Sequence, residues 1–492
     1  MSLINISNLT FAYDGSCGNI FENVSFQIDT DWKLGFAGRN GRGKTTFLNL
    51  LLGKYEYSGN ISSSIDFEYF PYKVKNKNIN TAEIINSILG DFENWKLLRE
   101  MSLLNLSEDV LYRPFETLSN GEQTKVLIAA MFLKENKFLL IDEPTNHLDL
   151  EARKLVSSYL NSKNGFILVS HDQTFLDNCI DHILSINKTN IEIQKGNFSS
   201  WWRNKELQDN FELAENRKLK KDICHFEKAA KRTSDWSYKL EKTKFGTKNS
   251  GIKPDKGYIG HKASKMMKRS KSAENRKIAA AKEKSGLLKN IETFESLKIA
   301  PLEHYPDCLI ELKGVNIKYD QKTICRDISF SVLQGDQIAL LGKNGCGKSS
   351  ILKLICGENI AYEGSLRKSS GLKISYVPQD TSHLNGNLRE FAQNLDIDEI
   401  LFKAILRKLD FSRDQFEKDI QNFSSGQKKK VLIAKSLCEE AHIYIWDEPL
   451  NYIDVISRIQ IKKLLLKYKP TILFVEHDIS FYNNIATKTI KL

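Results

Sequence analysis

No stretch of this 492-residue chain approaches the ~18 consecutive apolar residues that a membrane-spanning helix requires. The opening MSLINISNLTFAYDG lacks the basic start and apolar core of a secretory leader. A cytosolic address without a membrane partner is therefore the expectation. Cysteine is sparse and scattered, at positions 17, 179, 224, 308, 325, 346, 356 and 438. No two form a C-x-x-C pair, which argues against a zinc site and a disulfide framework and for reduced thiols. Proline and glycine are absent from 204–243, where nothing interrupts a Lys/Glu/Ala/Leu-rich run of good helix formers. The chain is too long for one core, so two or more domains are expected.

Charge is unevenly spread. The net charge is +11, and the segment 204–300 carries 25 Lys/Arg against 13 Asp/Glu, leaving the remainder at −1. A nearly neutral body with one basic segment fits a machine with a polyanion-binding arm. In that segment Gly246, Gly251, Pro254, Gly257 and Gly260 break the helical run, and a second run follows from about Lys262 to Leu297. Two helices around an irregular tip make a hairpin, with arms of ~50–60 Å. Leu207, Phe211, Leu213, Ile223 and Phe226 argue for packing rather than a solvated linker.

The rest of the chain repeats. GRNGRGKT at Gly38 returns as GKNGCGKS at Gly342, LSNGEQ at Leu118 as FSSGQK at Phe423, FLLIDEP as IYIWDEP, and VSHD as VEHD. The offsets lie between 304 and 306, so the chain is two copies of one domain. The expected division is 1–200, 201–306 for the linker, and 307–492.

Each motif has a chemical reason. G-x-x-x-x-G-K-[ST] between a strand and a helix is a phosphate-binding loop, whose backbone N–H groups wrap phosphates at a helix N-terminus. Gly38, Asn40, Gly41, Gly43, Lys44, Thr45 and Thr46 form the first, and Gly342, Asn344, Gly345, Gly347, Lys348, Ser349 and Ser350 the second. Lys44 and Lys348 should reach the β- and γ-phosphates of ATP, and Thr45 and Ser349 should ligate Mg²⁺. Asp142 and Asp447, at the ends of apolar strands, should enter the Mg²⁺ shell. Glu143 and Glu448 follow and are placed to polarise the attacking water.

LSNGEQ and FSSGQK resemble the signature of ABC ATPases, which implies an α/β fold with two P-loop ABC ATPase domains in tandem, here joined by a long α-helical hairpin linker. By that resemblance the cassettes pair head to tail within one monomeric chain. Ser119 and Gly121 then face the nucleotide on Lys348, while Ser424 and Gly426 face the one on Lys44. His171 and His477 match the switch histidine, Tyr13 and Tyr319 the aromatic that stacks on adenine, and Gln379 the glutamine that joins the Mg²⁺ and γ-phosphate environment. Two cassettes, a basic hairpin and DEPTNHLD at Asp142–Asp149 resemble the ABC-F family, and details such as LGFAGRNGRGKTTFLNLLLGKYEYSG resemble its Lsa/Vga-type antibiotic-resistance proteins. The spacing from Tyr72 to Leu118 (46 positions) and from Gln379 to Phe423 (44) leaves no room for an arm insertion in the first cassette, and little follows His477.

The resemblance implies that the ATP-closed form binds the ribosome near the tRNA exit site, with the linker beside rRNA and P-site tRNA. Lys244, Phe245, Tyr258, His261 and Lys262 flank the expected tip. Protection of the peptidyl-transferase centre from lincosamides, streptogramin A and pleuromutilins is the implied function. A housekeeping translation factor and a transporter ATPase subunit are the alternatives. The copies also diverge: Tyr72 stands where Gln379 stands in the second, the second signature begins at Phe423 and has Ser425 for glycine, and Leu450, Tyr452 and Ile453 replace Thr145, His147 and Leu148. The two ATP sites are expected to be unequal, both retaining a glutamate.

Overall fold

The computed structural model describes residues 2–14, 18–90, 92–146, 148–187, 190–242, 297–319, 322–343 and 345–492, with 261, 264, 265, 268, 271, 272, 275, 276 and 279 in the linker. Two compact units emerge: Met1–Trp201 with Phe294–Leu492, and Trp202–Thr293.

The first unit holds both copies. In the first, a parallel sheet runs in spatial order Asp66–Phe70, Lys137–Asp142, Phe166–Val169, Lys33–Ala37 and His182–Asn187, with Asn190–Lys195 antiparallel at its edge. The second repeats the order: Ile374–Val377, Lys-free Ile443–Asp447, Ile472–Val475, Gln337–Leu341 and Lys488–Lys491. Central strands covered on both faces read as continuous apolar runs, which is why Phe138, Leu139, Leu140 and Ile141 are all buried. A small antiparallel sheet accompanies each copy, ordered Phe21–Asp29, Leu3–Phe11, Ser58–Ser62 and Lys322–Leu333, Cys308–Tyr319, Tyr362–Lys368. In each core sheet, the strand leading into the phosphate loop sits directly beside the one ending in the histidine turn. This adjacency brings distant motifs to one sheet edge.

In the second unit and its approach, one 45-residue helix, Phe198–Lys242, spans about 68 Å at 1.5 Å per residue. Its half-buried positions include Trp202, Lys205, Asp209, Glu212, Asn216, Leu219 and Ile223, a 3-4-3-4 spacing of coiled-coil type. That seam corrects the sequence reading: Leu207 and Phe211 lie off it, at 64% and 65% exposure, and only Leu213 and Ile223 of the quoted apolar residues with described side chains are half-buried. The described residues of the second arm, from His261 to Ala279, are helical and exposed. His261 is therefore a helix residue; Lys244, Phe245, Tyr258 and Lys262 lie outside the described residues. The segment 297–306, counted above with the linker, packs on the second repeat: Leu297 and Ile299 join its core and Leu302 N–H donates to Ala441 O at 2.9 Å. Among the described residues, no helix is long and apolar enough to cross a membrane.

Candidate functional sites

The two phosphate loops close with the same geometry. Gly41 and Gly43 have φ of 79° and 95°, and Gly345 and Gly347 have 80° and 93°, in the left-handed region that side chains resist. Space reinforces the demand, since a Cβ on Gly347 would lie 2.0 Å from Cys325 Sγ. The helices Lys44–Leu51 and Lys348–Cys356 start immediately afterwards. Lys44 Nζ donates to Gly38 O (2.7 Å) and Arg39 O (3.1 Å), and Lys348 Nζ to Gly342 O and Lys343 O (both 2.8 Å). Burial pushes the Lys44 ammonium down, resisted by the carboxylates of Asp454, Glu143 and Asp142. Asn344 and the side chain of Tyr319 lie outside the described residues. Tyr13 OH is 2.9 Å from Thr46 Oγ1, so this aromatic stands beside the first loop's helix, edge-on to Tyr55 and Phe11.

The acidic pairs emerge from buried strands. Thr45 Oγ1 and Tyr69 OH both donate to Asp142 Oδ2, at 3.2 and 3.0 Å. Asp447 is 0% exposed and, among the described residues, neither of its carboxylate oxygens has a partner at hydrogen-bond distance and angle; burial pushes it up to about 6 against the pull of the nearby Ser349 hydroxyl and of Lys429 and Lys348. A buried carboxylate without a donor, beside a phosphate loop with a hydroxyl residue, suits a hard cation that takes oxygen ligands. Glu143 and Glu448 both adopt left-handed φ, 52° and 46°, uncommon for glutamate and repeated in both copies. That turn stops the strand and swings each carboxylate towards the histidine: His171 Nε2 is 3.3 Å from Glu143 Oε1, and His477 Nε2 is 3.4 Å from Glu448 Oε1.

The second glutamate is held more fully. Gln379 Nε2 and Asn451 Nδ2 donate to Glu448 Oε2 at 2.9 and 2.5 Å. Burial alone would raise Glu448, but His477 and the ammoniums of Lys429 and Lys348 outweigh it and hold its carboxyl below the usual range. Glu143 is balanced differently: burial and Asp142 push it up to about 8 against the pull of Arg458, Lys44 and the His171 N–H, and burial lowers His171 well below its ordinary value. Tyr72 does not replace glutamine: its neighbours are Glu68 and the Lys134 ammonium, 5.4 Å from its ring centre.

The signature motifs cap helices. Ser119 and Ser424 each form a capping box, with Glu122 and Gln427, at the starts of Asn120–Met131 and Ser425–Cys438. These N-termini point across to the other copy. Asn120 lines a cleft of about 630 Å³ together with Lys348, Ser349, Ser350, Gln379, Glu448 and His477. On the opposite side, Asn40 Nδ2 donates to Tyr452 O at 2.7 Å, and a Cβ on Gly426 would fall 2.9 Å from Asn40 Nδ2 and 2.4 Å from Tyr452 O. Gly121 is less confined, with Leu148 Cδ2 of its own copy at 3.8 Å from its would-be Cβ. Each phosphate loop thus faces the other copy's signature helix, through Asn120 on one side and Gly426 on the other, an arrangement that can bracket a polyphosphate between Lys and a helix N-terminus.

Several residues went unnoticed in the sequence. Lys430 Nζ pairs with the fully buried Asp454 at 2.6 Å, Lys429 Nζ donates to Pro378 O and Asp447 O at 2.8 and 3.2 Å, and Arg39 and Arg42 meet Asp410. Their signal was the comparison of the copies position by position, where Lys125 answers to Lys430 and Asn105 to Asp410.

Comparison with known proteins agrees with this geometry. The ABC transporter family model matches residues 21–146 and 325–451. The chain is 28% identical to the ATP-binding protein Uup of Buchnera aphidicola, covering 99% of this chain and 80% of that protein. It is 27% identical to the ribosome protection protein VmlR of Bacillus subtilis, covering 97% and 84%. Among solved structures, an archaeal ribosome recycling factor aABCE1 in complex with the stalk protein aP1 superposes with a TM-score of 0.62 at 19% identity, covering 98% of this chain and 87% of that one. That likeness is one of fold.

Proposed function

The chain belongs to the ABC ATPase family, of the ABC-F type, and on that premise we propose that it binds the bacterial ribosome near the tRNA exit site in its ATP-closed form and protects the peptidyl-transferase centre from antibiotics. It is an ATPase, converting ATP and water to ADP and phosphate. The observation that carries the ribosomal reading is the pairing of a composite, nucleotide-bracketing interface with a basic arm. On the described face of the second arm, Lys265, Lys268, Lys271 and Arg276 are exposed with no carboxylate among them. Such a face matches a phosphate surface, and structured RNA is recognised largely through its shape and backbone.

In the catalytic step, Lys44 and Lys348 balance phosphate charge, and Ser119, Gly121, Ser424 and Gly426 contact the γ-phosphate from the opposite copy. Glu448, fixed by Gln379, Asn451 and His477, orients water; Glu143 and His171 are the first copy's counterparts. Mg²⁺ would be held by Thr45 or Ser349 with Asp142 or Asp447 and would screen the phosphates; Gln379, whose amide is committed to Glu448, keeps its carbonyl for that shell. Hydrolysis removes a contact made from both copies, so closure is a nucleotide switch that the linker follows. The expected tip, Lys244, Phe245, Tyr258, His261 and Lys262, reaches toward the drug site in this reading.

The test is expression in a susceptible bacterium. Raised inhibitory concentrations for lincosamides, streptogramin A or pleuromutilins, lost in a Lys348→Ala variant, support protection. Unchanged values for all three classes overturn it and leave a housekeeping ABC-F factor.

A further inference from the structure

The two halves of the interface between the copies are built from corresponding residues, yet their charges differ. On the Lys44 side, the guanidiniums of Arg39 and Arg42 converge on one carboxylate oxygen of Asp410, at 3.1 and 3.5 Å. The Arg39 side chain is 7% exposed and that of Asp410 23%, so the contact is partly shielded from solvent. The Asn40–Tyr452 hydrogen bond adds a second tie at the same loop. On the Lys348 side, the corresponding positions are Lys343, Cys346 and Asn105. Asn105 shares the left-handed turn of Asp410, with φ of 48° against 71°, but brings no charge. Among the described residues Lys343 meets one carboxylate, Glu151, 4.0 Å away, both largely exposed, a pairing of little consequence. The catalytic carboxylates differ in the opposite sense: Glu448 is fixed by Gln379, Asn451 and His477, while the counterpart Asn146 lines the Lys348 cleft and Tyr72 is turned to Glu68 and Lys134.

We infer that Asp410 is a positioning residue that fastens the first phosphate loop to the second copy, so that nucleotide at the Lys44 site is retained while the Lys348 site turns over. One site then serves as a clamp and the other as the engine. The clamp keeps the signature helix of the second copy in place after hydrolysis on the other side, letting the interface open at one edge only. This assignment rests on ATPase activity and on the paired interface, and not on the ribosomal reading.

The experiment is release of a fluorescent ATP analogue from the purified full chain with Mg²⁺, chased with excess ATP, alongside phosphate release. Two phases are expected. The slow phase should persist in Lys348→Ala and vanish in Lys44→Ala. Asp410→Asn should speed the slow phase at least ~10-fold, the consequence of cutting one partner from a shielded charge pair. Asp410→Glu should restore it, and thermal melting of both variants separates this effect from misfolding. A slow phase unchanged in a well-folded Asp410→Asn variant, or one that follows Lys348 instead of Lys44, overturns the proposal.

Discussion

The pair of Lys430 and Asp454 allows the sharpest test of how the second copy is held together. Lys430 is 4% exposed and Asp454 0%, their charges meet at 2.6 Å, and Lys430 Nζ also donates to Leu409 O at 2.8 Å. Asp454 accepts from Ser457 N–H at 2.9 Å and Ser457 Oγ–H at 3.0 Å, capping the helix Val455–Tyr468. Lys430→Met keeps the packing of the stem but strands a buried carboxylate, a change costing ~3–5 kcal/mol. For a unit of this size each kcal/mol lowers the midpoint by about 2–4 °C, so calorimetry should show a drop of roughly 6–20 °C. Adding Asp454→Asn removes the unpaired charge and keeps a capping side chain, so the double variant should recover at least half the loss. The pH dependence has a definite sign. Burial would raise Asp454, but Lys430 outweighs it and holds the carboxyl far below its usual range. Its contribution is therefore full above ~pH 4 and is lost as pH falls further. In Lys430→Met the restraint is gone and burial dominates, so lowering pH from 7 to 5 should narrow the deficit. A penalty below ~1 kcal/mol, or a double variant worse than the single, would refute the reasoning.

Other expectations are simpler to check. Gly426→Ala places a methyl against Tyr452 O and Asn40 Nδ2, so steady-state ATPase should fall at least ~10-fold, a loss of ~1.4 kcal/mol of transition-state stabilisation, with melting nearly unchanged; Gly121→Ala should be milder. Ser424→Ala removes a capping box and should cost about 1 kcal/mol in thermal stability as well as lower ATP turnover. Replacing Lys265, Lys268 and Lys271 by Gln should weaken ribosome binding and flatten its dependence on salt by roughly 0.7–0.9 per lost phosphate contact.

How much of this was legible beforehand follows from the chemistry. Phosphate loops, acidic strand ends and histidine turns are written in short runs, because a loop of N–H groups tolerates few residues, and in the structure Gly43 and Gly347 of those loops adopt left-handed backbone. That Ser424 and Gly426 face the Lys44 loop came from family resemblance; the structure puts Gly426 beside Asn40 of that loop, a neighbour the resemblance did not name. Asp410 left one faint signal, the Asn105 at the matching position of the first copy, because a carboxylate on a helix-end turn looks like ordinary surface charge until its two arginine partners, distant in sequence, are beside it. The substitution at Tyr72 was legible, but its new neighbours were not: Glu68 precedes it closely, while Lys134 comes from another segment. In the linker, helix composition was readable, whereas the seam was not, since it is formed mostly by polar side chains and leaves Leu207 and Phe211 outside.

The measurement closest to the central claim is ribosome co-sedimentation of the Glu143→Gln, Glu448→Gln double variant. This chain should bind ATP, fail to hydrolyse it, and stay closed across the paired interface. The account predicts stable association with ribosomes in ATP and none in ADP. A variant shown to bind ATP that nevertheless stays in the supernatant would contradict it.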